Sequence, residues 1–435
     1  MATATRPDVI APATRDLVVS SIRTLRLESD PTYLWVEVQT AGGASGVGET
    51  VLGPEAVEAY IHESVAPYLL GKDALRIEGH AQGLRGYLGY DGSGAETRGN
   101  SAIDMALWDL FGQVTGLPLY QLLGGRVRDA MRVYNTCAGY DFGRNVTLLG
   151  AGVVAAGLDD DRAKGPYDDL AAAIERPDEL AQDLLAEGFS AMKIWPFDSA
   201  ALSEDGKSIS RASLRAALEP LRKIRAAVGS QMDILIDFHG LWQWPAILTI
   251  AQALEEYQPL WLEDPMRWDS TDQLARLAAS TRLPVALSES MASIVRYREM
   301  MERHAVGVVI VDVSWCGGIS EARKIATLAA SHQLPVTIHE CTGPLALAAA
   351  SHLAVHLPNA MLQEVVRARI HGWYQEIVEG LPVPIDGLLS PPEAPGLGVR
   401  LRPGLWARSD AHVQKSLVAD ARWRPHRASE SEGRS

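Results

Sequence analysis

Three carboxylates and a histidine stand at regular separations in this 435-residue chain. Asp237 (in ILIDFHG), Glu263 (LWLEDP) and Glu289 (VALSES) follow one another at intervals of 26 residues, and His339 closes VTIHE further on. Three converging carboxylates with no clustered His or Cys suit a hard divalent cation, which takes oxygen ligands and keeps positions open for a substrate. Mg2+ is therefore the expected cofactor. A single carboxylate of this kind is usually a salt bridge or a helix cap, but three at matched positions are poorly explained that way. Asp312 (VVIVDVS) precedes His339 by 27 residues. A carboxylate beside an imidazole fixes its tautomer and raises its basicity, so the pair reads as an oriented general base.

Each of these residues closes a short apolar run of strand character, and a strand, a helix and two turns take roughly the repeat length. The spacing predicts successive βα units that present their charged side chains at one end of a parallel sheet. Eight such strands can be counted, at 132–140, 189–196, 233–239, 259–265, 283–289, 306–314, 334–340 and 360–366. That is the count of a closed barrel, and no GxGxxG or GxxxxGKS interrupts it. The expected fold is α/β, a modified (β/α)7β TIM barrel at 129–385 behind an N-terminal α+β capping domain at 1–128. A Pro/Gly-rich segment, 386–435, should pack back on the cap and end in a frayed tail. Within the cap, 17–50 alternates as antiparallel strands do, Gly42–Gly48 reads as a mobile loop, and 54–124 turns helical. Two stretches, 141–172 and 198–211, enlarge the first two strand-to-helix connections. They fall at the end where barrel sites are built, and should face a substrate.

Composition narrows the partners. A formal charge of −14 argues against nucleic acid or an anionic membrane. Three scattered cysteines imply neither a disulfide framework nor a zinc site. With no apolar leader and no run of eighteen apolar residues, neither a signal peptide nor a membrane span is expected. The expectation is a cytoplasmic homo-oligomer acting on a small molecule.

Glu364 closes the eighth strand and, if protonated, would donate a hydrogen bond to a bound carboxylate. Taken together, the acids of strands three to five, the Asp/His pair of strands six and seven and this Glu resemble the enolase superfamily, mandelate racemase subgroup. SAIDMALWDLFGQVTGLPLYQLLGG (101–125) is similar to that family's junction between cap and barrel. The resemblance implies that Asp237, Glu263 and Glu289 hold Mg2+, that His339 is the base oriented by Asp312, and that Glu364 is the electrophile. On the second strand, racemizing members carry Lys-x-Lys. Here Lys193 matches the first lysine, expected to contact a substrate carboxylate, and Trp195 replaces the second base. His239, in DFHG, resembles the DxH arrangement of the subgroup's acid-sugar dehydratases, where this histidine is the acid. The implied reaction is a β-elimination on an aldonate or aldarate, giving a 2-keto-3-deoxy acid. An epimerase or one-base isomerase of the same subgroup, or a silent barrel binding metal and sugar acids, are the alternatives. A glycosidase is disfavoured, because three acids in a row suit a metal better than an acid/base pair. Trp242, Trp244, Arg267, Trp315 and Arg367 lie near strand ends, where they could touch a hydroxylated substrate tail or simply pack.

Overall fold

The computed structural model describes residues 16–85, 92–142, 144 and 165–418. Eight parallel strands form the barrel: β4 (Met131–Thr136), β5 (Ala191–Ile194), β6 (Asp233–Asp237), β7 (Trp261–Glu263), β8 (Val285–Leu287), β9 (Val308–Val311), β10 (Val336–Ile338) and β11 (Ala360–Val365). They pair in chain order, and β11 closes on β4 through Gln363–Val133, Glu364–Tyr134 and Val365–Asn135. The strands are shorter than the apolar runs suggest. Laddering holds only around the waist, and the chain beyond it peels away into turns, so that Glu289, Asp312 and His339 stand just past their strand ends while Lys193, Asp237, Glu263 and Glu364 stay within theirs.

Strand alternation sorts the side chains into two sets. Tyr134, Ala191, Leu235, Trp261, Ala286, Val308, Ile310 and Leu362 form one buried cluster, the plug inside the barrel. Their neighbours in sequence, such as Met192, Ile194, Ile236, Leu262 and Val309, belong to the larger core shared with the surrounding helices. Two residues beyond members of the plug stand Lys193, Asp237, Glu263, Asp312 and Glu364, in the same inward phase. Thus the charged residues form the next layer above an apolar floor.

The cap is a four-stranded antiparallel sheet with a long helix against it. β1 (Val19–Leu27), β2 (Asp30–Thr40) and β3 (Ser45–Val51) are joined by β15 (Ala411–Leu417) in the order β15-β1-β2-β3. The mobile loop expected at Gly42–Gly48 is not formed, because β3 begins at Ser45. Gly46 and Gly48 press against helix Ala95–Thr115 so closely that an added Cβ would lie 2.2 Å from Ala106 O and 2.0 Å from Ala102 O. These glycines serve close packing, which composition alone reads as flexibility.

Buried cap acids fasten the cap to the first turns of barrel helices. Asp104 accepts from Ser320 N (3.0 Å) and Ser320 Oγ (2.6 Å), at the start of helix Ile319–Ser331. Glu49 accepts from Ala346 N at 2.6 Å, in the first turn of helix Pro344–His356. A carboxylate at a helix N-terminus satisfies free amides and meets the positive end of the helix dipole. The chain after the barrel adds the short pairs β12 (Val378–Glu379) with β14 (Arg400–Leu401), and β13 (Leu388–Leu389) with the start of β4. Further along, Gly396 bonds Leu117 and Leu119 backbone, and Asp109 accepts Leu397 N at 2.9 Å.

One buried histidine makes this junction sensitive to acid. His352 accepts from Tyr120 N at 3.3 Å and donates to Leu397 O at 3.1 Å, with no surface exposed. Burial lowers its pKa from 6.5 to about 4, against the Leu397 carbonyl, which favours the charged form. A depressed histidine is neutral when folded and takes up a proton more readily when unfolded. Its contribution is therefore present above the unfolded pKa and lost as pH falls toward 4. Wild type should lose roughly 3 kcal/mol more stability across that window than His352→Gln, by denaturant unfolding at matched pH. Equal pH slopes for the two proteins would contradict this.

Candidate active site

Lys193 stands at the centre of the inward layer. Its Nζ lies 2.6 Å from Glu263 Oε1, 3.0 Å from Glu364 Oε1 and 3.2 Å from Asp237 Oδ2, and all four side chains are buried. Burial works against the ammonium, but Glu263, Glu364, Tyr134 and Asp237 outweigh it and hold the amine well above its usual range.

The three acids around the lysine differ in state. Burial would raise Asp237, yet His239 and Lys193 pull it down to about 2. Glu263 is pushed up to about 8 by burial, which Lys193 opposes and Asp237, Glu364 and Glu289 reinforce. Its other oxygen accepts Trp261 Nε1 at 2.8 Å. For Glu364 the surroundings favour the ionised form over the protonated one in which it would donate a hydrogen bond. Burial alone would raise it, but Lys193 and His339 hold it below the usual carboxylate range. It accepts from Tyr134 OH at 3.0 Å, from Glu340 N at 3.3 Å and from Thr136 Oγ1. The apolar residues of its strand gave no warning of these donors, which come from the neighbouring strands.

Glu289 lies beyond the end of β8, where the period of two no longer applies. It meets Asp264, whose backbone is left-handed at φ 37°. Burial first, then Glu289, drives Asp264 well above the usual range, while Ser288 Oγ donates to it at 2.8 Å. Asp264 Oδ1 and Glu289 Oε2 are buried with no hydrogen-bond partner. Among the described residues, no three His, Cys, Asp or Glu side chains are arranged to hold a metal ion. Lys193 takes the space between Asp237 and Glu263, and Glu289 turns toward Asp264. The chemistry of the set still suits a hard cation. All donors are carboxylate oxygens, one acid is forced to about 8, and two buried oxygens lack partners. A divalent ion would relieve that excess of negative charge.

The two histidines flank this layer. His339 Nδ1 is 2.6 Å from Asp312 Oδ2, and Asp312 is itself held by Ser314 N at 2.6 Å and Thr342 Oγ1 at 3.1 Å. That leaves Nε2 facing inward, 3.7 Å from Glu364 Oε2 and 3.4 Å from Cys341 Sγ. Burial disfavours the imidazolium, but Cys341, Glu364 and Asp312 raise the pKa well above the usual value. Trp315 stacks on the ring at 5.6 Å.

His239 reaches the site by a different route from the one its spacing suggests. β6 ends at Asp237, so alternation does not carry on to residue 239. Instead His239 takes φ 48° and its amide donates to Asp237 Oδ1 at 2.9 Å, a turn that swings the ring back over the layer. Nε2 then lies 3.7 Å from Asp237 Oδ2, and Nδ1 is 2.6 Å from Asp198 Oδ2. Burial opposes protonation, but Asp237, Asp198 and Glu289 raise His239 to about 10. Trp195 packs edge-on against the ring at 5.7 Å.

Other side chains named from the sequence have structural partners. Arg267 pairs with Asp269 at the surface (2.5 Å), and Arg367 is buried against Asp169 (2.7 Å) and Glu187 (2.9 Å). Trp244 lies under Arg276, and Trp242 is buried. Of the 141–172 insertion, residues 143 and 145–164 fall outside the described residues. Arg144 reaches the cap, its Nε 2.5 Å from Asp30 Oδ1. Sequence reasoning missed Tyr134, Thr136, Trp261, Cys341 and Asp198. The first three share the inward phase of their strands and could have been found by extending the alternation. Nothing in the sequence singles out Asp198.

With this geometry in place, comparison with known proteins gives a family. Residues 10–124 match the N-terminal domain of mandelate racemase and muconate lactonizing enzyme, and residues 177–405 match the enolase C-terminal domain-like model. The chain belongs to the mandelate racemase/muconate lactonizing enzyme family of the enolase superfamily. A D-galactonate dehydratase of Ralstonia nicotianae is 33% identical over 390 residues, covering 88% of this chain and 91% of that protein. The D-galactonate dehydratase of Verminephrobacter eiseniae is 30% identical, covering 89% and 93%. Among solved structures, a mandelate racemase subgroup enolase from Agrobacterium tumefaciens, with a succinimide residue, sodium and phosphate, is 43% identical. It superposes with a TM-score of 0.82, covering 92% of this chain and 99% of its own.

Proposed function

We propose that this protein is a Mg2+-dependent hydro-lyase that removes water from a sugar acid, an aldonate or aldarate, to give a 2-keto-3-deoxy acid. The carrying observation is an unbroken line of polar contacts with a histidine at each end. His339 Nε2 lies 3.7 Å from Glu364, Glu364 and Asp237 lie 3.0 and 3.2 Å from Lys193, and His239 Nε2 lies 3.7 Å from Asp237. Two imidazoles facing one charged layer can remove a proton from one carbon and supply a proton to the group leaving its neighbour. The D-galactonate dehydratases among its relatives support the same class of substrate.

Asp237, Glu263 and Glu289 would hold the cation. When bound, Mg2+ supplies positive charge against the negative charge that grows on the substrate carboxylate as C2 loses its proton. Lys193 adds a second positive charge in the same inward layer. His339, held through Nδ1 by Asp312, takes the C2 proton at Nε2 when its ring is neutral, a form that the positive charge of a bound cation would favour. His239, protonated near neutral pH, delivers a proton from Nε2 to the departing 3-hydroxyl. The bond electrons of C2–H become the C2–C3 double bond as C3–O breaks, and the enol rearranges to the keto acid. Trp195 cannot act as a second base, which disfavours racemization.

A panel of aldonates and aldarates, D-galactonate included, should contain at least one acid from which the protein forms 2-keto-3-deoxy product. Chelation should stop the reaction and Mg2+ restore it. Keto acid from no member of the panel with Mg2+ present would count against the dehydratase reading.

A further inference from the structure

Asp198 is a buried acid outside the strands, in the second insertion, and it meets a histidine of the site. It opens the short helix Asp198–Ser203 and has no exposed surface. Oδ2 lies 2.6 Å from His239 Nδ1, while Oδ1 is buried without a hydrogen-bond partner. Sequestering a carboxylate in this way is costly, and a fold that needed only packing would place an apolar residue here.

The surrounding packing fixes the pair. Phe197 and Phe238, the residues just before each partner, are fully buried against each other with ring centroids 5.4 Å apart. This aromatic contact locks two segments 41 residues apart in sequence, so that Asp198 and His239 face one another. An ionised carboxylate can only accept, so the Nδ1 of His239 must carry a hydrogen. The Nε2 edge is then the one directed at the layer. The arrangement repeats that of the other histidine, where Asp312 also meets Nδ1 at 2.6 Å and Nε2 also lies 3.7 Å from an acid of the Lys193 cluster.

We propose that Asp198 is the positioning residue of His239, holding its ring and tautomer so that the proton passed to the departing 3-hydroxyl leaves from Nε2. This rests on the dehydratase reading. Asp198 then serves proton donation at C3 as Asp312 serves proton removal at C2, and only the first of these depends on the chemistry of the leaving group. A hydroxyl needs a proton to leave as water. A fluoride at C3 leaves as an anion, and loss of the C2 proton and fluoride gives the same enol and the same keto acid.

The test compares wild type with Asp198→Asn and Asp198→Glu, with Mg2+, on a turned-over sugar acid and on its 3-deoxy-3-fluoro analogue. Asp198→Asn should form keto acid from the hydroxy acid roughly tenfold to a hundredfold more slowly. It should still exchange the C2 proton in deuterated water and expel fluoride at close to the wild-type rate, and Asp198→Glu should recover part of the lost elimination. Normal elimination of water by Asp198→Asn would overturn the positioning role alone. Equal loss of exchange, fluoride release and dehydration would overturn it too, as the mark of a general structural defect. If wild type forms no keto acid from either substrate, the dehydratase reading falls and this role falls with it.

Discussion

His339→Asn is expected to lower keto-acid formation by roughly a thousandfold to ten-thousandfold and to remove C2 proton exchange as well. Both losses follow from one position. Nε2 is the edge of the ring that faces the charged layer, since Nδ1 is committed to Asp312 at 2.6 Å. Asparagine preserves approximate size and can still bond Asp312, so the fold should survive while the base is gone. Asp312 is itself tied down by Ser314 and Thr342, so it stays in place in the variant. The check is a steady-state assay beside an NMR measurement of exchange, with thermal unfolding to confirm a folded protein. Retention of exchange by this variant would move the base elsewhere, and Cys341, 3.4 Å from the same nitrogen, would be the first place to look.

His239→Asn should separate what His339→Asn does not. Keto-acid formation is expected to fall by roughly a hundredfold or more, while C2 exchange continues at close to the wild-type rate. The reason lies in the order of events: His339 can take and return the C2 proton whether or not C3 loses its hydroxyl. His239 is well suited to the later step. Neighbouring Asp237, Asp198 and Glu289 hold its pKa at about 10, so the ring carries a proton to give at neutral pH. The direction of the shift also bears on the pH profile: with Asp198 at Nδ1 favouring the charged ring, the contribution of His239 should be lost on the alkaline side. If His239→Asn eliminated water normally, the donor would have to be another group, and the side chain would be reduced to holding Asp237 or the substrate.

The barrel was legible because its period is a physical one. Each βα unit has to run up the sheet and return, and the repeat of 26 residues between Asp237, Glu263 and Glu289 records that path. The same alternation that puts Leu235 in the plug puts Asp237 in the layer above it. Where the backbone leaves the strand, the pattern stops carrying information. His239 and Asp264 both adopt left-handed backbone, and Glu289 turns to Asp264. Their neighbours depend on turns that spacing cannot describe. Gly46 and Gly48 failed for the opposite reason: a strand under a tightly packed helix demands the residue that elsewhere marks a loop. Asp198 was out of reach because its meaning comes wholly from tertiary packing, through the Phe197–Phe238 contact. The charge state of Glu364 was also invisible, since it depends on Lys193, His339 and Thr136 from other strands and their ends.

The most direct measurement is an NMR time course of wild-type protein with Mg2+ and its best sugar acid in deuterated water, following the C2 proton and the keto acid in one tube. 2-Keto-3-deoxy acid should accumulate as the product, with deuterium arriving at C3 as the enol rearranges. Substrate that loses its C2 proton to solvent while no keto acid forms would contradict the dehydratase reading, and would make this a one-base isomerase.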